Sequence, residues 1–320
     1  MLSKFPAIVG PTASGKSALA GALAHACAQS GLGSAEIISA DSMQVYQGLD
    51  IGTAKPSPKE RKTIPHHLID IAAPTEPFSV DHWLKLANNA ITNIAGRGST
   101  PIIVGGTHLY IQALLFGLFE GPPPDLMLRA ALEQRSTSDL RCELEQIDPE
   151  AASRIHPNDS RRTIRALEVH AATGTPISKL QAQWEGTSPR ADILLIGLEW
   201  DTALLNRRIN ARVKNMMDLG LLEEVRKLLE NDQLGPQARE ALGYKQLASH
   251  LQGELSIEEA VERIKVETRR FAKNQRTWIR RLQHVPQSMW IDGAKLCQAD
   301  HMQTVVNQVL MEIQAPKNEC

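Results

Sequence analysis

The sequence predicts an α/β protein: an open parallel sheet flanked by helices and interrupted by a helical insert. Three observations lead there. Short apolar runs alternate with helical patterns through the first third of the chain. Those runs carry apolar residues on both faces rather than in strict alternation, as covered strands do. A stretch with helical periods and no convincing strand then separates them from one further apolar run, ADILLIGLEW (191–200).

In order, FPAIVG (5–10) reads as a buried strand, and Lys16 to Ala28 follows as an Ala-rich helix. AEIISAD (35–41) reads as a second strand and HHLIDI (66–71) as a third. Val80 to Ile94 carries apolar residues at 80, 83, 84, 87, 91 and 94, the spacing of one helix face. PIIVGG (101–106) is a strand ending in a glycine pair. The Pro-rich EGPPPD (120–125) breaks the alternation, and the chain from 126 to about 185 is read as helical. The core then comprises 1–119 and 188–320, and the insert 120–187. After Asp201 the chain is expected to be helical almost to its end.

The 320 residues include 35 Lys or Arg and 36 Asp or Glu, for a net charge of −1. That balance excludes a uniformly basic nucleic-acid coat but permits a local basic patch. Four cysteines without a C-x-x-C pair argue against a disulfide framework or zinc site and fit a reducing cytoplasm. The first nine residues run straight into a Gly-rich loop, too short for a signal peptide, and no apolar run approaches the roughly 20 residues of a membrane span.

That loop, Gly10-Pro11-Thr12-Ala13-Ser14-Gly15-Lys16-Ser17, fits G-x-x-x-x-G-K-[ST] between a strand and a helix. The glycines let backbone N–H groups approach phosphate oxygens, and the helix start adds partial positive charge. Lys16 neutralises phosphate, and the Ser17 hydroxyl can ligate Mg2+. With this nucleotide-binding loop, of the ATP-binding kind, the expected fold is P-loop NTPase-like. A hydrolase would add a strand-end acid for the metal and a water-positioning residue. Only Asp41 and Asp70 are candidates, so that signature is incomplete.

Asp41 ends the second strand, on the edge where the phosphate loop also lies. Its carboxylate could act as a general base, ligate magnesium through water, or simply cap a helix. Basic residues gather in three places. In Thr268 to His284, which holds six Arg or Lys and no acid, Arg269, Lys273, Arg276 and Arg280 form one helical stripe. Phe271, Trp278 and Leu282 are expected to dock into the core. Arg161, Arg162 and Arg165 crowd a helix start that Asp159 or Ser160 would cap; an anion there would offset the unfavourable dipole, and pairing of Arg165 with Glu168 is the alternative. Arg208 and Arg212 lie four apart and could clamp a diphosphate.

Taken together, GPTASGKS (10–17), DSMQVYQGLDIGTAKP (41–56), HHLIDI (66–71), GGTHLY (105–110), HPNDSRRTIRALEV (156–169), ALGYKQ (241–246) and TRRFAKNQRTWIRR (268–281) resemble, in order, the tRNA dimethylallyltransferases (isopentenyl-tRNA, or IPP, transferases) of bacterial type. The resemblance covers about residues 5 to 282. It implies transfer of a dimethylallyl group from dimethylallyl diphosphate to the exocyclic amine of adenosine-37, 3′ of the tRNA anticodon; the cysteine usage points to the cytoplasm, and nothing in the sequence demands more than a monomer. It implies catalytic roles for Asp41 as general base, for Thr12 and for Arg212, a diphosphate-contacting arginine. Gly10 to Ser17 would hold the diphosphate, with Mg2+ assisting through Ser17. Contacts to the anticodon stem-loop would come from Asp41, Ser42, Met43 and Gln44; from Thr107 and Arg129; from Arg161, Arg162, Thr163, Ile164 and Arg165; from Arg239, Glu240, Ala241, Leu242, Gly243 and Tyr244; and from Lys273, Asn274, Gln275, Arg276, Thr277, Trp278, Ile279 and Arg280. The chain departs from the family pattern at Arg161-Arg162, often Gln-Arg, and at Asn274, often Arg. It lacks the zinc-finger extension of eukaryotic relatives.

Two rivals share the loop and sheet. A small-molecule or nucleoside kinase would need no acid-free basic helix. A non-catalytic RNA-binding or nucleotide-sensing module would not consume the prenyl donor.

Overall fold

The computed structural model describes residues 4–118, 121–123, 125–182 and 188–315. The elements run β1 (Phe5–Val9), α1 (Lys16–Gln29), β2 (Ala35–Ala40), α2 (Pro58–Thr63), β3 (His66–His67), α3 (Val80–Gly96), β4 (Thr100–Gly105), α4 (His108–Phe116), α5 (Leu126–Glu133), α6 (Thr137–Ile147), α7 (Pro149–Arg154), α8 (Ser160–Thr173), α9 (Ile177–Gln181), β5 (Ile193–Glu199), α10 (Thr202–Asp218), α11 (Leu221–Glu230), α12 (Tyr244–Leu251), α13 (Ile257–Arg280), β6 (Ser288–Asp292) and α14 (Ala299–Gln314).

The strands form one six-stranded sheet in the order β3-β2-β4-β1-β5-β6, every neighbour parallel. All five residues of β1 and all six of β2 and of β4 are buried, which is why their sequences lack alternation. One face packs against α1 and α14: Ile8, Ile102 and Ile196 meet Leu19, Leu23, Val306 and Val309 there. The strand ends are level, since Val9 and Ala40 both pair with Gly105. The loop after β1 and the residue after β2 therefore leave the sheet at the same height, with β4 between them.

Three expectations need correction. The third strand is two residues long, because Leu68 and Asp70 adopt positive φ angles of 62° and 57° that end the extended run. The region after Asp201 is not helical throughout: β6 joins the sheet beside β5, with Trp290 lying over Gly197 so closely that a Cβ there would sit 2.1 Å from the ring. Phe271 is 42% exposed and does not dock; the inner face of α13 is Ala260, Ile264, Ala272, Gln275 and Ile279. Trp278 is half-buried and Leu282 is buried, as expected.

The chain divides into two compact units, Met1–Leu115 with Arg190–Cys320, and Phe116–Pro189. The boundaries expected at 119–120 and at 187 fall on residues outside those described. The second unit has five helices and no strand among its described residues, around Leu140, Leu144, Leu167 and Val169.

Candidate active site

The phosphate loop follows from local backbone demands. Ala13 and Gly15 have φ angles of 62° and 93°, which fold the chain back before α1 starts. A side chain at Gly10 would meet Ser14 Oγ at 2.7 Å. Helix α1 has no side-chain cap and no acid in its first turn, so its leading N–H groups are left for an anion. The Ser14 hydroxyl is buried without a hydrogen-bond partner, and Ser17 is exposed in the first turn. An orphaned donor inside the loop and an exposed hydroxyl beside it suit phosphate oxygens and a hard cation held mainly by them. Among the described residues no cluster of three His, Cys, Asp or Glu could hold a metal by itself.

Cations surround this loop. Lys16 Nζ donates to the carbonyls of Gly10 at 2.9 Å and Pro11 at 2.7 Å. Burial, with the nearby Arg212 charge, brings its pKa down to about 7, and Asp41 opposes the shift. Burial also lowers the Arg212 pKa, again opposed by Asp41. Lys16, Arg212 and Asp41 thus share one electrostatic neighbourhood, at the sheet edge where the strand register places the loop and Asp41. Arg208, expected to clamp a diphosphate together with Arg212, lies near enough for its charge to bear on Arg212. Arg208 donates to the Ala13 carbonyl at 2.9 Å and lies 4.8 Å over the Trp200 ring, so it holds the loop from behind.

Asp41 caps a turn rather than a helix: Oδ1 accepts from Met43 N–H at 2.9 Å and Gln44 N–H at 3.3 Å. These bonds fix the carboxylate's direction and fall on one oxygen. Gln44 accepts from Ser39 Oγ at 2.9 Å and donates to the Thr53 carbonyl at 3.1 Å, tying the Asp41 turn to the loop at 50–56. Thr107 Oγ1 accepts from Ser42 N–H at 3.0 Å, and Thr107 N–H donates to the Ala40 carbonyl at 3.2 Å. The glycine pair is needed here, because a Cβ on Gly105 would lie 2.1 Å from the Ala40 oxygen. Asp70, the other strand-end acid, is bound by Lys55 and Arg61, which hold its carboxyl below the usual range against the opposing effect of burial.

Helix α13 reaches the same edge. Lys273, Asn274, Thr277 and Arg280 are exposed, while Arg276 donates to Thr202 Oγ1 at 2.6 Å. Arg269 is partly neutralised, donating to Asn210 at 2.7 Å and pairing with Glu262 at 3.4 Å. Trp278 packs 5.5 Å from His108, next to Thr107. The buried Ile279 and Gln275 present no outer surface.

In the 239–244 segment, Arg239 and Glu240 are exposed, Leu242 is half-buried, and Ala241, Gly243 and Tyr244 are buried. Those buried residues serve the interior: Tyr244 donates to Glu224, which sequence reasoning passed over. In the helical unit, Asp159 caps α8, accepting from Arg162 N–H at 3.1 Å. Arg161 and Arg162 are exposed, and Thr163 and Ile164 are buried. Arg165 pairs with the buried Glu168 at 3.6 Å, the alternative to anion binding. Arg129 grips the same carboxylate with two bonds, at 2.8 and 2.6 Å, which raise its pKa.

A parallel sheet whose first strand runs into a phosphate-binding loop, with an oriented carboxylate two strands along, defines a P-loop NTPase-like α/β protein equipped for chemistry on a phosphorylated substrate. The chain belongs to the IPP transferase family: it matches the family so described over residues 44–282, and that described as isopentenyl transferase over residues 3–71. It is similar to the tRNA dimethylallyltransferase of Geobacillus thermodenitrificans, 47% identical over 288 residues and covering 88% of each chain. It is likewise similar to that of Carboxydothermus hydrogenoformans, 44% identical over 320 residues with 98% of each covered. Among solved structures, the tRNA isopentenylpyrophosphate transferase of Bacillus halodurans superposes with a TM-score of 0.69 at 38% identity, covering 97% of both chains. A eukaryotic dimethylallyltransferase acting on tRNA gives a TM-score of 0.81 at 29% identity, covering 99% of this chain and 81% of that one.

Proposed function

We propose that this protein transfers a dimethylallyl group from dimethylallyl diphosphate to the exocyclic amine of adenosine-37 in tRNA, giving N6-dimethylallyladenosine and diphosphate. The single observation that carries the reading is the convergence of Lys16, Arg212 and Asp41 around an anion-ready loop. The relatives' activity and their likeness over nearly the whole chain support it. The protein would work in the cytoplasm as a monomer; among the described residues no helix is long and apolar enough to cross a membrane.

The chemistry needs what these residues offer. As the carbon–oxygen bond of the donor breaks, negative charge grows on the diphosphate. Loop amides, Lys16 and Arg212 stand ready to stabilise it without reorganising. Mg2+, when bound beside the Ser17 hydroxyl, would supply further positive charge to the diphosphate oxygens. The adenine amine forms the new carbon–nitrogen bond, and its proton passes to Asp41, whose Oδ1 is already engaged by backbone N–H groups. The target base must leave its stack, at a cost of a few kcal/mol. Exposed cations on α13 and at the start of α8 would offset that by gripping tRNA phosphates. Thr12, the Asp41 turn and Thr107 would then bear on the reacting groups.

The test is to incubate the pure protein with labelled dimethylallyl diphosphate, magnesium and unmodified tRNA, then digest the RNA to nucleosides. Label on adenosine is expected. Unlabelled RNA would overturn the reading, and phosphorylation of a small molecule with ATP would return the choice to a kinase.

A further inference from the structure

Gln275 stands out on the inner face of α13. Between Ala272 and Ile279 it is a polar side chain only 5% exposed, and its amide is held at both ends. Oε1 accepts from Thr12 N–H at 2.8 Å, and Nε2 donates to the Gly106 carbonyl at 2.8 Å. The partners settle the orientation of the amide, since a backbone N–H can only donate and a backbone carbonyl can only accept. Three segments far apart in sequence meet here: the phosphate loop, the turn after β4 that leads to Thr107, and the basic helix. Gly106 is required by the approach, because a Cβ there would lie 2.4 Å from Gln275 Nε2 and 2.9 Å from the Gly10 oxygen.

The amide also bears on the loop's other supports. Lys16 holds the Gly10 and Pro11 carbonyls only while its ammonium is turned back on the loop. An ammonium that moves to meet a diphosphate gives those bonds up. The first limb of the loop is then held by Gln275 at Thr12 and by Arg208 at Ala13. A loop whose N–H groups must stay aimed at phosphate oxygens gains most from supports that do not themselves move on binding.

We propose that Gln275 is a positioning residue for the phosphate loop, fixing Thr12 against Gly106 so that the diphosphate cradle keeps its shape when Lys16 swings onto the ligand. This assigns Gln275 to the prenyl-diphosphate side of the reaction rather than to tRNA contact, and it rests on the functional reading proposed for this site.

The probe is inorganic pyrophosphate with magnesium, titrated calorimetrically into the full-length protein without RNA or prenyl donor. Gln275→Met keeps the volume and removes both bonds. Its affinity for pyrophosphate should fall about tenfold, the effect of one lost hydrogen bond. In the transfer assay KM for dimethylallyl diphosphate should rise by a similar factor with kcat within about twofold, and tRNA affinity should not change. Gly106→Ala attacks the same junction from the other side. It should weaken pyrophosphate binding too, and the double variant should be little worse than either single one. A merely structural residue would lower melting temperature without this split between KM and kcat. Unchanged pyrophosphate affinity in either folded variant, or a loss of tRNA affinity in its place, would overturn the proposal. Because pyrophosphate binding needs no transfer activity, wild-type protein that binds pyrophosphate but does not modify tRNA would sink the functional reading alone.

Discussion

The Tyr244 hydroxyl donates to the Glu224 carboxylate at 2.5 Å, and the same carboxylate gathers the backbone N–H groups of Asp50 at 3.2 Å, Ile51 at 2.8 Å and Gly52 at 3.3 Å. One acid on α11 therefore anchors the loop that, through Thr53 and Gln44, supports the Asp41 turn. Burial and Glu224 push the Tyr244 hydroxyl far above its ordinary range, so it stays a donor at any working pH. Gly52 gives the ring room, since a Cβ there would lie 2.4 Å from it.

Glu224→Ala strands four donors at once. It should cost about 1–3 kcal/mol of stability for each one left buried and dry, against about 1 kcal/mol for Tyr244→Phe. Urea denaturation reads both, and equal midpoints for Glu224→Ala and wild type would show that the loop needs no anchor.

Lys16 sets a pH dependence whose sign can be worked out. With its pKa at about 7 in the free protein, the ammonium is charged below that value and increasingly neutral above it. A bound diphosphate favours the charged form and raises the pKa. Diphosphate affinity should thus be greatest below about pH 7 and weaken by up to about tenfold per pH unit above it, until the bound-state pKa is reached. Calorimetry at about pH 8 in buffers of different ionisation enthalpy should show proton uptake on binding. Absence of uptake there would mean Lys16 is already charged.

The cations of α13 are not equivalent. Lys273 and Arg280 are exposed, whereas Arg269 is engaged by Asn210 and Glu262. Replacing Lys273 and Arg280 together by Ala should weaken tRNA binding and reduce the magnitude of its slope against log salt by about 1–2, at roughly 0.7–0.9 for each phosphate no longer neutralised. Arg269→Ala should change the slope less. Equal slopes for all three proteins would place the RNA elsewhere.

How much of this could be read from the chain depends on the range of the interaction. The phosphate loop is eight consecutive residues whose glycines, lysine and serine each have a fixed job, so its spacing alone revealed it. Asp41 was legible because it ends an apolar strand on the edge the loop also occupies. The basic stripe of α13 followed from helical spacing, but its inner face did not. Phe271 reads as a core residue and is exposed, while Gln275, a tRNA contact by the family resemblance, is buried; only the partners at Thr12 and Gly106 explain the latter. Strand β6 was missed because five residues at a sheet edge, with the first three half-buried, carry little pattern. Glu224 was invisible as an anchor, since its partner Gly52 lies 172 residues away; Glu168 was legible as the i,i+3 partner of Arg165, but its bond to Arg129, 39 residues away, was not.

The proposed mechanism turns on Asp41 taking the amine proton while the loop carries the diphosphate. Single-turnover transfer with dimethylallyl diphosphate, comparing wild type with Asp41→Asn, tests this most directly, because the amide can still accept from Met43 and Gln44 but is a far weaker base. The expected result is a loss of roughly 10²–10⁴ in the rate of tRNA modification, with tRNA and pyrophosphate affinities within a fewfold of wild type. A modification rate close to wild type in Asp41→Asn would contradict that role and, with it, the proposed chemistry.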